Sequence, residues 1–555
     1  MGLPNRLASA VKLDWNKSND TFVVKVPRGA DLNALMREHG LDFSASASTT
    51  KEAVLFTRDQ YAAATFAEFA SQDALLRLAP ILFEIGESWR STSNAHISVP
   101  ADRELWPFQK SNVEYALRRR NTLIGDVPGL GKTPTSIAFC NEVQAKKVLV
   151  ICPANIRLQW HKRIQEWTTM PYPANKSIYP ILKSSNGTNP LASWNIVSYD
   201  LARTPAIGSA LAREHYDVLI LDEPHYLKET DAQRTRAIFG GGPRLFPPLA
   251  ERAERILGLT GTPLPNRPRE AYTLARGLCW DSIDWASEDK FRHRYNPSQR
   301  GVTDEGKLYI DERSGRHAEL QNRLRSWFMC RHEKHGPRGV MKQLHMPIYD
   351  LIQVEETRAI KQALQAESLL DIDPEKLEGA DATMLGHIAV VRRLMGIALA
   401  PQVADYVEML LDGGEEKLVL FAWHIEVMNI LEARLGKHGL VRMDGRTSAA
   451  KKDRLVKEFI ADPRIKIALG NTLTMGTGTD GLQEVCNHAL IGEPDWVHGN
   501  NLQCFDRLDR GGQRDQVQGD IFVAPGSIAE KILASALRKG QTTHKALDAQ
   551  YGDEK

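Results

Sequence analysis

Gly125-Asp126-Val127-Pro128-Gly129-Leu130-Gly131-Lys132-Thr133 decides how this chain is read. The stretch follows a short apolar run, residues 122–124, and leads into a helical pattern from Pro134. A strand, a glycine-rich turn and a helix, with Lys-Thr closing the turn, make a cradle for a nucleoside triphosphate. Glycine lets the backbone curl so that its N–H groups face phosphate oxygens, and the helix N-terminus adds positive potential. Lys132 is placed to reach the β and γ phosphates, and the Thr133 hydroxyl to ligate Mg²⁺. Asp126 stands where the plain form of this loop has its first glycine. The alternative is an ordinary strand–turn–helix that contains Gly-Lys-Thr, and the rest of the chain bears on the choice.

Downstream, Val218-Leu219-Ile220-Leu221-Asp222-Glu223-Pro224-His225 is an apolar strand ending in two acids. Ligands of parallel sheets sit at the carboxyl ends of strands, where Lys132 also falls. Asp222 is assigned to Mg²⁺ and Glu223 to the attacking water; the alternative is a solvated acidic pair opening a loop. Leu257-Gly258-Leu259-Thr260-Gly261-Thr262-Pro263 is a further strand end, with small residues that permit close backbone approach. Upstream, Phe108 and Gln109 in Leu105-Trp106-Pro107-Phe108-Gln109 suit an adenine pocket, or simply start an amphipathic helix. Far along the chain, Asn501 to Gln513 places Arg507 and Arg510 one helical turn apart, on one face. Guanidinium groups bind phosphate in bidentate fashion, so the pair could reach a γ-phosphate across a cleft. The competing reading is a solvated basic face paired with Asp506 and Asp509.

At 555 residues the chain is long enough for several cores. Lys and Arg number 71 against 69 Asp and Glu, so no global positive field announces nucleic acid, and any such surface is local. The 6 cysteines are scattered without a C-x-x-C pair, which argues against a zinc ribbon or a disulfide framework. No apolar run looks long enough to span a bilayer, and no signal peptide is evident. Residues 1–95 read as a small α+β unit, with strands near 11–15, 21–26 and 53–56 and Asp31 capping a helix. Strands alternate with helices over 100–277 and again over 412–540. Residues 278–411 read as mostly helical insertions and linker, and 541–555 as a tail. The expected fold class is therefore α/β: two parallel-sheet lobes with helical insertions, plus the N-terminal α+β domain.

Taken in order, the Gln motif, phosphate loop, Asp-Glu-Pro-His strand, Thr-Gly-Thr-Pro, Met443-Asp444-Gly445-Arg446-Thr447 and Arg507-x-x-Arg510-x-Gly-Gln513 resemble helicase superfamily two. The likeness is strongest to SWI/SNF-related helicase-like ATPases. Within them, residues 263–270 and 391–398 resemble the annealing-helicase (HepA-related, HARP) branch, as does the N-terminal unit around Leu13-Asp14-Trp15. The chain departs from the family pattern at Val127, Pro128, Pro224 and Asp509.

The resemblance implies RecA-like lobes and a DNA-stimulated ATPase that moves along double-stranded or branched DNA as a monomer, with ATP and Mg²⁺ bound between the lobes. It adds Asp126, Gly129, Leu130, Gly131, Gly478 and Asp480 to the ATP site. It assigns His225, Thr260, Thr262 and Gln513 to coupling, and Asn155, Arg157, Ser198, Arg446 and Thr447 to DNA contacts. It implies a nucleoid-associated cytoplasmic protein in a bacterial or viral source and a nuclear one in a eukaryote. A strand-separating helicase and a nucleotide-gated binding module stand as alternatives.

Overall fold

Before reaching its first parallel sheet, the chain folds a small antiparallel one. The computed structural model describes residues 11–170, 178–264, 267–296, 298–302, 308–312, 315–369, 382–475, 479–495, 498–531 and 533. Strands β1 (Lys12–Asn16), β2 (Thr21–Pro27), β3 (Asp42–Ser44) and β4 (Glu52–Thr57) pair in the order β1-β2-β4-β3. The short β3 has no apolar alternation and escaped the sequence reading. Asp31 caps the helix Leu32–His39, its carboxylate accepting from Ala34 N at 3.0 Å. Helix Gln72–Trp89 contributes Ala74 and Leu78 to a core with Leu13, Val24, Leu55 and Phe66.

This unit is bonded to the next part of the chain. Asp59 accepts from Arg294 and Arg323 at 2.8 and 2.7 Å. Trp327 Nε1 donates to the Tyr61 hydroxyl at 2.6 Å, and the buried Arg325 donates to the Ser88 carbonyl. Helix His317–Trp327, which carries three of these groups, thus forms part of the docking face.

The first parallel sheet takes β5 (Asn121–Ile124), β6 (Val148–Cys152), β7 (Ile178–Pro180), β8 (Trp194–Ser198), β9 (Tyr216–Asp222) and β10 (Ala253–Leu259). A hairpin, β11 (Ser298–Val302) with β12 (Leu308–Glu312), comes next, and β13 (Met329–Cys330) then joins the sheet edge. The order among the described residues is β13-β5-β10-β9-β6-β8-β7, all parallel. Leu149, Val197 and Leu219 feed one apolar cluster, and Val148, Val150, Ile196 and Val218 another. Near-continuous apolar strands are what a sheet covered on both faces requires.

The second sheet takes β14 (Ile348–Gln353), β15 (Leu418–Ala422), β16 (Leu440–Met443), β17 (Ile467–Asn471), β18 (His488–Ile491) and β19 (Gln518–Val523), in the parallel order β14-β19-β18-β15-β17-β16. The fold is therefore α/β with two RecA-like lobes and an N-terminal antiparallel sheet.

Two sequence expectations need correction. Residues 278–411 are helical over most of their described length, but they also supply the hairpin, β13 and β14, which the reading of helical insertions and linker left out. The first parallel strand among these has two residues, and β14 is an edge whose side chains are largely exposed, so neither shows an apolar pattern. Second, among the described residues one helix is long and apolar enough to cross a membrane by length and composition, over Gly386–Asp412. It belongs to the helix Ala382–Asp412, which buries Leu399, Val403 and Val407 against Leu420 in the second lobe's core. Arg392, Arg393, Asp405 and Glu408 interrupt the run and hid it in the sequence.

Candidate active site

Parallel register brings three strand ends to one level. Leu259 pairs with Ile124 on one side and with Asp222 on the other. The phosphate loop after β5, the Thr-Gly-Thr turn after β10 and the acids ending β9 therefore emerge side by side. A cleft of about 620 Å³ opens there and extends to the second lobe. Phe108, Gln109, Gly129, Leu130, Gly131, Lys132, Thr133, Asn155, Asp222, Glu223 and His225 line it from the first lobe. Asp480, Arg507 and Arg510 line it from the second.

Within the phosphate loop, Gly129 and Gly131 have φ of +88° and +74°, a region glycine enters without strain. Lys132 Nζ donates to the Asp126 carbonyl at 2.7 Å. Burial pushes its pKa down, opposed by Glu223, Asp126 and Asp222. Gln109 braces the loop: Nε2 donates to the Leu130 carbonyl at 3.0 Å and Oε1 accepts from Trp106 N at 2.9 Å. Both ends of this amide, expected to meet adenine, are thus engaged by backbone. Asp126 is also corrected. Its buried carboxylate faces away from the cleft, accepting from Asn112 Nδ2 at 2.7 Å and from His332 N at 2.9 Å.

The two acids sit in contrasting surroundings. Burial and the neighbouring Glu223 push Asp222 up to about 7, although Trp160 Nε1 donates to it at 2.6 Å. At Glu223 burial also raises the pKa, but His225, Lys132 and Thr260 outweigh it and hold the carboxyl down to about 2. Thr260 Oγ1 donates to Glu223 Oε2 at 2.8 Å, and His225 Nδ1 lies 3.0 Å from the same oxygen. Glu223 itself has φ +56°, a left-handed conformation uncommon outside glycine. Thr262 N donates to Thr260 Oγ1 at 3.1 Å, which closes the turn.

From the second lobe, Arg510 Nη1 donates to Asp480 Oδ1 at 3.1 Å, and Arg507 Nη1 to the Thr479 carbonyl at 3.3 Å. The helix His498–Phe505 ends before either arginine. The shared helical face expected of the pair is therefore a shared turn, which Gly512 at φ +99° terminates. Arg163 of the first lobe also donates to Asp480. Gln513 lies behind the site, where its Nε2 donates to the Cys486 carbonyl at 2.9 Å. Gly478, Pro265, Asn266 and the tail 541–555 fall outside the described residues.

The expected DNA contacts divide. Arg157 donates to the Ile181 carbonyl at 2.6 Å and the Ala154 carbonyl at 2.9 Å, and remains partly exposed. Arg446 is exposed beside Asp444, and the Thr447 hydroxyl accepts from Asp444 N at 3.0 Å. Ser198 is a correction: it is buried and accepts from Leu201 N as a helix cap. The sequence reading missed Trp160, Arg163 and Lys334, whose partners lie tens to hundreds of residues away. The Arg331 guanidinium is buried and donates to the carbonyls of Gly125 and Gly261, tying the phosphate loop to the Thr-Gly-Thr turn.

A model of the SNF2-related domain matches residues 53–365, more than half of the chain. The chain belongs to the SNF2-related family of helicase-like ATPases. It is 27% identical over 460 residues to the mouse DNA annealing helicase and endonuclease ZRANB3, covering 80% of this chain and 41% of that protein. It is 27% identical over 443 residues to the Xenopus tropicalis SWI/SNF-related matrix-associated actin-dependent regulator of chromatin subfamily A-like protein 1, covering 76% and 43%. The chain thus spans about two-fifths of the length of these curated relatives. Among solved structures, it is similar to the Sulfolobus solfataricus SWI2/SNF2 ATPase core in complex with dsDNA. That match has a TM-score of 0.39 and 16% identity, and covers 83% of this chain and 100% of that one.

Proposed function

We propose that this SNF2-related chain is an ATP-driven motor on double-stranded DNA that remodels or re-pairs branched structures such as forks without processive strand separation. The observation that carries the reading is the cleft itself: Lys132, Asp222 and Glu223 face Arg507 and Arg510 across two lobes. In this reading Lys132 and the loop N–H groups hold the triphosphate, and Glu223 orients the attacking water. Arg510 meets the γ-phosphate from the far lobe, so charge compensation is completed only when both lobes engage one nucleotide.

The donor set fits Mg²⁺. The Thr133 hydroxyl and Asp222 carboxylate line one cleft as hard oxygen ligands, and Mg²⁺ keeps its remaining positions for water and phosphate. When bound, the ion would neutralise charge on the β and γ phosphates.

Thr260 bonds Glu223 and lies, through Arg331 and Gly261, against the phosphate loop. A change at the phosphates thus has a bonded route to the connector between the lobes, the kind of element that lobe movement uses. A second groove of about 970 Å³ runs between the helices Arg157–Trp167 and Ala449–Ala461, with Lys162, Lys452 and Lys457 on its walls. Asp453, Asp480 and Glu484 share those walls, and Asp453 pairs with Lys162 and Lys457, so the groove is mixed in charge; Arg157, Arg446 and Lys452 are the cations that suit backbone phosphates, hence binding with little sequence preference. The annealing activity in the name of the mouse relative supports the re-pairing part of the reading. The N-terminal unit would then present branched DNA as a part fixed to the first lobe.

The test separates translocation from unwinding. The chain with ATP should displace a third strand from a DNA triplex yet fail to release the strand of a partial duplex. Efficient strand release would replace this reading with that of a strand-separating helicase.

A further inference from the structure

The chain passes from the first lobe to the second through residues 331–347, between β13 and β14. The start of this connector is bound to the phosphate loop. Gly125 N donates to the Cys330 carbonyl at 2.8 Å and Val127 N to the His332 carbonyl at 3.1 Å. His332 holds Asp126, and Met341 and Leu344 pack on Phe108 and Leu130. Lys334 comes directly after. Its side chain is only 5% exposed, yet it carries an ammonium pointing into the second lobe. Nζ pairs with Asp506, lies 2.6 Å from Asp509 Oδ2 and donates to the Asp509 carbonyl at 2.7 Å. His335 Nε2 stands 3.0 Å from the Asp509 carboxylate.

Asp506 and Asp509 bracket Arg507 and precede Arg510 in the arginine turn. Asp509 is also one of the positions where this chain departs from the family pattern. The approach is close. A Cβ at Gly129 would stand 3.1 Å from the Asp509 carbonyl oxygen and 3.3 Å from Arg510 Cβ. A buried ammonium without partners is strongly disfavoured, and so is a buried carboxylate. Burial alone would raise the Asp509 pKa, but His335 and Lys334 outweigh it and hold it below the ordinary value. The two charges therefore fix each other, and with them the height of the turn above the phosphate loop.

We propose that Lys334 is a positioning residue: through Asp506 and Asp509 it pins the turn that carries Arg507 and Arg510 against the phosphate loop. The proposal rests on the ATPase reading for its kinetic consequence, not for its structural one. Lys334 lies outside the cleft lining, so it acts on the arginines and not on the nucleotide.

The full chain is compared with Lys334→Met, Lys334→Arg, Asp509→Asn and the Lys334→Met/Asp509→Asn double variant. Three quantities are read: affinity for a non-hydrolysable ATP analogue, duplex-stimulated turnover, and radius of gyration by small-angle X-ray scattering. Analogue affinity should stay within about twofold while turnover falls about tenfold or more in Lys334→Met and Asp509→Asn. Lys334→Arg should turn over faster than Lys334→Met. The double variant should be no worse than the poorer single one, because the two changes remove one interaction. The radius of gyration should rise in both single charge-removing variants as the lobes lose their register. Wild-type turnover and scattering in Lys334→Met would overturn the proposal, as would affinity falling in step with turnover. A wild-type chain without duplex-stimulated hydrolysis would remove the ATPase reading instead. The scattering comparison would then decide the pinning role: expansion supports it and an unchanged radius overturns it.

Discussion

Asp222 is asked to be a carboxylate in a place that disfavours one. Its pKa rises from the ordinary 3.8 to about 7. Between those pH values the unfolded chain has released this proton and the folded chain keeps it. Stability therefore falls as pH rises through the window and stays lower above it. Asp222→Asn carries no such proton and keeps an acceptor for Trp160. Without nucleotide it should be more stable than wild type at pH 8, by an amount on the order of a few kcal/mol. The gain should vanish near pH 4, and hydrolysis should be lost throughout. Denaturation midpoints at the two pH values check this, and a variant less stable than wild type at pH 8 would contradict it. Pro224 and Pro128, two of the departures from the family pattern, also have local explanations. Pro224 lies against Gly258, at 3.4 Å from where a Cβ would stand, and Pro128 packs on Gly261.

The contact between Pro128 and Gly261 joins two elements, the phosphate loop and the Thr-Gly-Thr turn. A Cβ at Gly261 would stand 2.5 Å from Pro128 Cδ and 3.0 Å from its backbone nitrogen. Gly261→Ala should push the loop aside, cost roughly 1–3 kcal/mol and lower both nucleotide affinity and turnover. Pro128→Ala should recover much of the loss in the double variant; equal damage with and without the proline would refute the contact. The N-terminal unit offers a second prediction. Asp59 bonds Arg294 and Arg323, and its loss would leave both guanidinium groups to share the buried Glu319. Asp59→Ala should cost roughly 1.5–3 kcal/mol, measured by denaturant unfolding. Deleting residues 1–95 should impair folding of the first lobe, not yield an independent motor. These elements show what the sequence made legible. The phosphate loop, the Asp222-Glu223 strand end and the two parallel sheets could be read because glycine spacing and apolar runs are local signals. Trp160, Arg163, Arg331 and Lys334 act on groups far away in the chain, and no local spacing marks such contacts. Asp126, Gln109 and Ser198 had the right neighbourhood but turned inward, because buried backbone and side-chain groups needed their hydrogen bonds.

At the scale of the molecule, one lobe carries the groups that would hold Mg-ATP and the other the groups that would complete its transition state. Arg510→Ala should keep nucleotide affinity and lose turnover by about 10³-fold or more, the pattern of an arginine finger. Arg510→Lys should recover little, because an ammonium lacks the planar fork. Binding and turnover measured separately in both variants check this, and surviving turnover would shift the role to Arg507. The groove beside the nucleotide cleft is the proposed DNA track, and because such binding runs through phosphates, DNA affinity should fall steeply with added salt. The central claim, that nucleotide turnover in this cleft is driven by duplex DNA, is tested most directly by the steady-state ATPase rate of the full chain. Duplex, single-stranded and forked DNA of equal length would be compared at one salt concentration. Duplex and forked DNA should stimulate hydrolysis well above single strands; a rate indifferent to DNA, or highest with single strands, would contradict the account.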